Sequence, residues 1–442
     1  MAPWARAPDP ERGSAPYTAG IGSAKSDMSG PVQRRREVVV TGAGVLCHMG
    51  DDLKTLEGML REGRSIPFKP FPPGVEYNAR CQIAGMYPGE LTDDDVGITK
   101  TQGRFMGRQS RLALAAARRA MAQAGLDRRD FAVVVGSGAG DVRTHVEIQE
   151  KLIETHSMRR ILPTVVPRLM ASTVSANLVN VLGSIGPSFT TSAACAGGAY
   201  NLLLAAMLIG SKHCDVAVAG GCEQTDPHFH AGFDSMRAYN SEDNDHPERA
   251  SRPYAADRAG FIFAEGAGIV VLEAREVAEA RGAAILGTLR GWGMSSDGEG
   301  DMVAPSSDGA RRAIEQALAY AELPPDAIDY VNTHGTSTPV GDVSEVRAMR
   351  QVFGDRQVAY SSTKGYTGHT VSAAGAIEAI FTLSMLREGW IAPSVNASPL
   401  EPELADYPPI LAPTSRVLRH ALSNSFGFGG TNVSLVLSAP GA

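Results

Sequence analysis

Residues Phe131-Ala-Val-Val-Val-Gly-Ser-Gly138 carry the pattern that decides the fold, a short β-branched run that ends in glycines. A run of this length without polar alternation is typical of a buried strand followed by a tight turn. Similar runs recur along the chain, at residues 37–44, 215–221, 268–273, 327–332 and 433–437. Helical apolar patterns lie between several of them, at residues 111–124, 200–209, 310–321 and 374–386. Strands that alternate with helices predict an α/β fold with buried, largely parallel sheets.

The composition is that of a globular protein. A chain of 442 residues predicts two core-bearing units or one large α/β body. Its 43% hydrophobic and 20% charged residues are ordinary proportions for such a protein. The net charge of −7 argues against a dedicated nucleic-acid-binding protein, whose binding surface would be basic. A local basic patch for an acidic protein partner remains compatible with this charge.

The chain divides into three segments. Residues 1–35 are rich in Ala, Pro, Gly, Ser and Arg without apolar periodicity, which predicts a disordered N-terminal tail. The region 281–291 separates the rest into a longer and a shorter part. We therefore expect an N-terminal half at 36–285 and a C-terminal half at 286–442.

Two features bear on the environment of the protein. Residues 171–211 contain no charged side chain, and this stretch is long enough to span a bilayer. Its uninterrupted apolar part, however, is only residues 202–209. A buried core segment is therefore expected, and no membrane insertion. The five cysteines are odd in number and include no C-x-x-C pair, so they fit neither a disulfide framework nor a zinc ribbon. They favour a reducing compartment, and we expect a cytoplasmic protein.

Cys195 is the candidate nucleophile. It lies in Thr190-Thr-Ser-Ala-Ala-Cys-Ala-Gly-Gly-Ala-Tyr200, and a helical run starts directly after it. This placement puts the sulfur at a helix N-terminus, where unpaired N–H groups and the helix dipole favour a thiolate. A free cysteine among small residues is also often buried filler, so this motif needs support from others.

Two histidines supply that support. His334 lies in Val331-Asn-Thr-His-Gly-Thr-Ser-Thr-Pro-Val-Gly-Asp342, and His369 lies in Ser362-Thr-Lys-Gly-Tyr-Thr-Gly-His-Thr370. Each loop follows a strand-like run, and loops at the carboxyl ends of strands are where α/β proteins bind ligands. A single histidine of this kind is more often structural. Three independent placements together indicate a site.

Two further groups offer contacts to a ligand. Thr336 and Thr338 present hydroxyls that could bind a polar ligand arm. The segment Ser423-Asn-Ser-Phe-Gly-Phe-Gly-Gly-Thr-Asn432 combines backbone N–H groups freed by glycines with Phe426 and Phe428, which would shape an apolar pocket. An ordinary hairpin turn with core aromatics is the alternative for this segment.

Together these residues resemble the β-ketoacyl-acyl carrier protein synthases, more the elongating type I and type II enzymes than the acetyl-CoA-primed type III. The resemblance spans about residues 37–437. It rests on Ser192-Ala-Ala-Cys-Ala196, His334-Gly-Thr-Ser-Thr-Pro-Val-Gly-Asp342, Thr363-Lys-x-x-Thr-Gly-His369 and Asn424-Ser-Phe-Gly-Phe-Gly-Gly-Thr-Asn432. Features of both elongating types occur, so the subtype stays open.

The resemblance implies a thiolase-like fold, with two similar α/β halves in a layered αβαβα body. It also implies an acyl carrier protein as partner and a homodimer, or a heterodimer with a related subunit. Cys195 would hold the acyl chain as a thioester, and His334 and His369 would serve the decarboxylation of malonyl-carrier protein. The oxyanion hole would consist of the backbone N–H groups of Cys195 and Phe428.

The same resemblance assigns supporting roles. Lys364 and Glu345 match positions that hold His369 and its loop in place. Ala139 matches a position at the far end of the acyl pocket. No bound cofactor is expected, because the phosphopantetheine arrives on the carrier protein. No metal is expected either.

This interpretation has four alternatives. A biosynthetic thiolase needs a second catalytic cysteine in a C-terminal loop, and the chain has none there. A catalytically inactive chain-length-factor-like partner would lack the nucleophilic cysteine. A nucleotide-binding enzyme is disfavoured because residues 42–47 lack the last glycine of the dinucleotide motif. The pair His228-Phe-His230 lacks further ligands with metal-site spacing. Acyl length, and a fatty-acid against a polyketide or polyene product, stay open.

Overall fold

A single large sheet organises the computed structural model, which describes residues 36–298, 302–303 and 305–442. The predicted tail at 1–35 lies outside the described residues. The strands are β1 (Val38–Leu46), β2 (Lys69–Pro70), β3 (Ile83–Ala84), β4 (Ala132–Gly136), β5 (Ser188–Phe189), β6 (Val216–Glu223), β7 (Gly266–Ala274), β8 (Gly287–Ser296), β9 (Tyr330–Asn332), β10 (Ala359–Ser361), β11 (Trp390–Ile391), β12 (Thr414–Ser415), β13 (His420–Gly427) and β14 (Thr431–Ser438).

Helices cover the outer faces of the sheet and also lie between its two halves. They are α1 (Leu53–Glu62), α2 (Pro72–Glu76), α3 (Lys100–Gly103), α4 (Arg108–Ala124), α5 (Val142–Thr155), α6 (Val165–Leu169), α7 (Thr173–Leu182), α8 (Gly197–Gly210), α9 (Pro227–Ser235), α10 (Arg275–Ala280), α11 (Ser307–Ala321), α12 (Pro339–Phe353), α13 (Lys364–Thr367) and α14 (Ala374–Glu388). Short 3₁₀ turns at Ala194–Ala196 and Val371–Ala373 come directly before α8 and α14.

The order of the strands reveals two similar halves. The large sheet runs β10-β9-β13-β14-β8-β1-β7-β6-β4-β5. One half consists of β1, β4, β5, β6 and β7, and the other consists of β8, β9, β10, β13 and β14. If the strands of each half are numbered 1 to 5 along the chain, both halves have the order 3-2-4-5-1 from the outer edge of the sheet to its middle. The halves meet where β1 pairs with β8. The predicted α/β fold with two similar halves is confirmed, whereas the exact boundary at 285/286 stays a prediction.

The prediction of largely parallel sheets is wrong. Among the described strands of the large sheet, parallel pairs lie only towards the two edges, between β9, β10 and β13 and between β4, β5 and β6. The central pairs are antiparallel. Central antiparallel strands that are covered on both faces are as uniformly apolar as parallel ones, so the sequence pattern did not show the strand direction.

The apolar clusters of the core account for the layered arrangement of helices and sheet. Along β4, Ala132 and Val134 belong to one apolar cluster, and Val133 and Val135 belong to another. The first cluster lies between the two halves of the sheet and contains α8 and α14, the second packs under α4, and a third packs under α11 and α12. Alternate strand residues thus bury both faces of the sheet and give the αβαβα layering.

The uncharged stretch 171–211 contains α7, β5 and α8. Its most apolar part is α8, which is buried in the central layer. Among the described residues, no helix combines the length and the apolar character that crossing a bilayer would need.

Candidate active site

Three side chains from distant parts of the chain converge at one point. The Cys195 sulfur and one ring nitrogen each of His334 and His369 lie within 4.8 Å of one another. Cys195 precedes α8, His334 follows β9, and His369 follows β10 and the short α13. The structure therefore brings together the three residues that the sequence motifs singled out.

The backbone around Cys195 explains the small residues in its motif. Cys195 is the middle residue of the 3₁₀ turn before α8, and Ala194 has a left-handed φ of 46°. Such a conformation is costly for most residues and least disturbing for a small one in a tight site. The glycine loop after β13 approaches closely, because a methyl group added at Gly427 would lie 3.2 Å from the backbone nitrogen of Cys195.

Burial decides the protonation of the thiol. Cys195 is 5% exposed, and burial raises its pKa to about 12 although the ammonium of Lys364 and the backbone N–H of Phe428 oppose the rise. The helix N-terminus was expected to favour a thiolate. Burial acts in the opposite direction, because the loss of water around the sulfur disfavours its charged form. The resting group is a thiol.

Two backbone donors face the sulfur. The backbone N–H groups of Phe428 and Cys195 lie close enough to the sulfur to lower the pKa of the thiol against the effect of burial. Phe428 belongs to the turn between β13 and β14, where Gly429 and Gly430 have left-handed φ angles of 82° and 74°. The segment is thus a hairpin turn and also a source of backbone donors at the site. Such a pair of donors can stabilise an oxyanion beside the sulfur.

The two histidines are neutral donors and acceptors. Their ring centroids are 5.4 Å apart, and the rings are nearly perpendicular, at 83°. Burial, followed by the charge of Lys364, lowers the pKa of His334 and of His369 well below 6.5. His369 is fixed by its own backbone, since its N–H donates to Ile262 at 2.8 Å and its carbonyl accepts from Ala264 at 3.0 Å.

Lys364 forms a hydrogen bond with His334. Its Nζ donates to Nδ1 of His334 at 3.4 Å and is ion-paired with Glu378. The resemblance implied that Lys364 holds His369, whereas the hydrogen bond in the structure goes to His334. Sequence analysis missed Glu378. The available signal was that Glu378 is the only charged residue from Ala374 to Leu386, in an otherwise apolar helix.

Glu345 holds the loop of His334. Its carboxylate accepts the backbone N–H groups of His334 and Gly335, both at 2.9 Å, and the side-chain amide of Asn424 at 3.0 Å. Burial raises the pKa of Glu345 to about 7, and these hydrogen bonds oppose the rise. The loop after β9 is therefore anchored to α12 and β13.

A cavity of about 350 Å³ opens onto the three residues. Thr336, Thr338, Phe426 and Phe428 line it, and the two threonine hydroxyls are 3.0 Å apart. Ala139 does not line this cavity. It lies in the loop after β4, where its carbonyl accepts the hydroxyl of Ser137.

Neither candidate metal site fits a cation well. Cys195, His334 and His369 offer three ligand atoms, but the ammonium of Lys364 next to His334 opposes a second positive charge there. His230 donates Nε2–H to the carbonyl of Cys81 at 2.8 Å, while His228 contacts Asp226 at 3.2 Å. The latter two histidines therefore have separate partners.

The chain matches two family models, "Beta-ketoacyl synthase, N-terminal domain" over residues 35–278 and "Beta-ketoacyl synthase, C-terminal domain" over residues 286–398. It is 39% identical over 412 residues to 3-oxoacyl-[acyl-carrier-protein] synthase 1 of Escherichia coli (strain K12), covering 91% of this chain and 98% of that relative.

Two solved structures are similar to it. One is a β-ketoacyl synthase from Burkholderia phymatum STM815, with a TM-score of 0.85, 32% identity and coverage of 91% of this chain and 99% of the other. The second is a ketosynthase bound to the hexaketide in complex with its type II polyketide-synthase acyl-carrier protein. Its TM-score is 0.83 at 26% identity, with coverage of 92% of this chain and 100% of the other.

Proposed function

The chain belongs to the β-ketoacyl synthase family, and we propose on that premise the roles of its site residues. It is a β-ketoacyl-acyl carrier protein synthase, which condenses an acyl thioester with malonyl-carrier protein as CO2 leaves. The observation that carries the assignment of roles is the convergence of Cys195, His334 and His369 within 4.8 Å.

Cys195 accepts the acyl chain. Its sulfur attacks the thioester carbonyl of acyl-carrier protein, and the thiol proton passes to a neutral imidazole of the site. The oxyanion of the tetrahedral intermediate is stabilised by the N–H groups of Cys195 and Phe428. The intermediate collapses to the acyl-enzyme, and the carrier thiol leaves with a proton.

His334 and His369 serve the second stage. When malonyl-carrier protein loses CO2, the electron pair of the broken bond becomes an enolate, whose oxygen accepts hydrogen bonds from the two imidazoles. The nucleophilic carbon then attacks the acyl thioester on Cys195 and releases the cysteine sulfur. Lys364 and Glu345 are positioning residues for this pair, and Thr336 and Thr338 line the path of the carrier's polar arm.

Mass spectrometry of the intact protein tests these roles. After incubation with acyl-carrier proteins of graded chain length, the mass should increase by one acyl group, located at Cys195 by peptide mapping. An adduct at another residue would overturn the assignment. If no adduct formed while the fold was intact, the alternative of an inactive chain-length-factor-like partner would be favoured.

The acyl carrier protein is the proposed partner, as in the similar ketosynthase complex. Arg237 and Met236 line the mouth of the cavity and are exposed, and Arg80 is exposed beside Arg237 in an adjoining depression. These guanidinium groups would attract an acidic carrier on an otherwise net-negative protein. The prosthetic group arrives on this partner, so the proposal needs no cofactor of the enzyme's own.

A homodimer is the proposed assembly. Large apolar side chains are exposed between β4 and β5, namely those of Ile153, Met158, Leu162, Val166 and Ile185. The short β5 also ends the large sheet with an open edge. Exposed apolar surface beside an open edge is typical of an interface with a second copy. Analytical ultracentrifugation should give twice the mass of the chain.

Fatty-acid elongation in the cytoplasm is the proposed setting. The relative with 39% identity is named as a 3-oxoacyl synthase, whereas the polyketide neighbour has 26% identity. The five cysteines are free thiols, which suits a reducing compartment.

A further inference from the structure

A buried carboxyl group lies behind Cys195 and has no role in the steps above. Glu223 is the last residue of β6 and is 2% exposed. Its hydrogen-bond partners are the backbone N–H groups of Gly138, Ser372 and Gln224, and burial raises its pKa to about 8. The group is close enough to Cys195 for its negative charge to raise the pKa of the thiol.

On one side, Glu223 holds the peptide of Gly138 in the loop after β4. The N–H of Gly138 donates to Oε2 of Glu223 at 2.9 Å, and its carbonyl accepts the hydroxyl of Ser192 at 3.2 Å. A methyl group added at Gly138 would lie only 2.6 Å from the same Oε2. The loop can thus approach the carboxyl group only because residue 138 is a glycine.

On the other side, Glu223 reaches the turn that follows His369. The N–H of Ser372 donates to the same Oε2 at 3.5 Å. The turn has a left-handed first residue, Val371, with a φ of 44°. This conformation is strained for a β-branched side chain and persists only where the surroundings fix it.

The turn at Val371 is the counterpart of the turn that carries Cys195. Each is a 3₁₀ turn that opens a central helix, and each begins with a left-handed residue, Ala194 in one half and Val371 in the other. Val371 packs in the same apolar cluster as Cys195, and its Cγ1 lies 3.5 Å from the position of a methyl group at Gly138. Val371 therefore lies in the cluster that contains Cys195, and Gly138 lies next to Val371.

We propose that Glu223 is a positioning residue for long acyl chains. Through one oxygen atom it joins the Gly138 peptide to the strained Val371 turn, and so fixes the wall that an acyl chain on Cys195 would meet. This inference rests on the proposed role of Cys195. It does not involve His369, whose backbone is held separately by Ile262 and Ala264.

Glu223→Met removes the acceptor while keeping the volume of the side chain. We expect decanoyl transfer from carrier protein to Cys195 to slow by about tenfold, the scale of a lost buried hydrogen bond. Acetyl transfer and malonyl decarboxylation should stay within about twofold of the wild type, since neither uses the wall. Glu223→Gln keeps a carbonyl oxygen in place of Oε2 and should retain the decanoyl rate.

Two further variants keep the test decisive if Glu223→Met does not fold. Gly138→Ala displaces the carboxyl group from the other side and should show the same selective loss of decanoyl transfer. The matched control is Glu273→Met, which removes a buried carboxylate on β7 that pairs with Arg281. This control should lower the stability and leave the chain-length profile unchanged.

The outcomes separate the two proposals. If wild-type Cys195 forms no acyl adduct, the proposed function fails. If it does, but Glu223→Met and Gly138→Ala keep the wild-type profile, only the role of Glu223 fails. Equal losses for acetyl and decanoyl groups, or a Gln variant as impaired as the Met variant, would also overturn this role.

Discussion

The ammonium of Lys364 lies 3.4 Å from Nδ1 of His334. Because an ammonium group can only donate, Nδ1 must be the acceptor, and the proton of the neutral ring is on Nε2. Glu378 balances the charge of Lys364 in the buried site. The arrangement fixes the tautomer of His334, so that it presents an N–H group away from Lys364.

Lys364→Met should change the pH dependence of acylation. The ammonium lowers the pKa of both histidines, so its removal should move these values up towards 6.5. The imidazoles would then become protonated at a higher pH. The decrease of the acylation rate on the acid side should therefore also occur at a higher pH. Rates between about pH 5 and pH 8 test this, since they bracket the ordinary histidine pKa. The exposed Lys54 supplies the control Lys54→Met, and an unchanged acid limb in Lys364→Met would contradict the argument.

His334→Ala and His369→Ala should each lower condensation by about 10²-fold or more, the usual scale for the loss of one oxyanion donor. Acylation of Cys195 should survive at least in part, because the N–H groups of Cys195 and Phe428 remain and the other imidazole can still accept the thiol proton. Separate assays of acyl transfer and of CO2 release measure the two stages. A parallel loss of both stages in a folded variant would show that the stages are not divided between these residues.

Cys195→Ala should abolish acyl transfer and condensation and leave malonyl decarboxylation measurable. The reason is that the sulfur carries the acyl group, whereas the two histidines that stabilise the enolate are unchanged. CO2 release and intact mass are measured on the same sample. An acyl adduct that persists in this variant would disprove the role of Cys195.

The sequence predicted those parts of the protein that depend on local pattern. The strand-like run at 131–138 contains β4, and the helical pattern at 374–386 lies within α14. The motifs around Cys195, His334 and His369 predicted one site, and the structure brings them together. Each motif carries its own loop and turn residues, so its local geometry is encoded nearby.

Contacts between distant segments could not be predicted from the sequence pattern. The strand directions in the centre of the sheet depend on how the two halves join, which apolar runs do not encode. Glu223 and Glu378 end or interrupt apolar segments, and their partners Gly138 and Lys364 lie in other segments of the chain. The resting thiol of Cys195 follows from burial by the whole fold, which a motif does not show.

Glu223 should make the stability depend on pH in a defined direction. Burial raises its pKa from 4.5 to about 8, so the folded protein binds a proton there that the unfolded chain has lost. The contribution of this group to the free energy of unfolding should therefore fall as the pH rises from about 4.5 to about 8. Glu223→Gln removes the titration, so its stability relative to the wild type should increase across that range. Urea unfolding of both proteins at several pH values measures the difference, and a constant difference would contradict the shifted pKa.

Ala139→Phe should shorten the acyl chains that Cys195 accepts. Ala139 follows Gly138, whose peptide is held by Glu223, and it does not line the cavity that Thr336 and Thr338 line. A phenyl ring there would fill space that a long chain needs, whereas an acetyl group would not reach it. We expect the rate of decanoyl transfer to fall by about tenfold or more, because overpacking a pocket costs a free energy of this scale. The rate of acetyl transfer should be unchanged. Ala139→Ser, which adds a single oxygen atom, is the control. If Ala139→Phe and the wild type accept the same range of chain lengths, the end of the acyl pocket is not at Ala139.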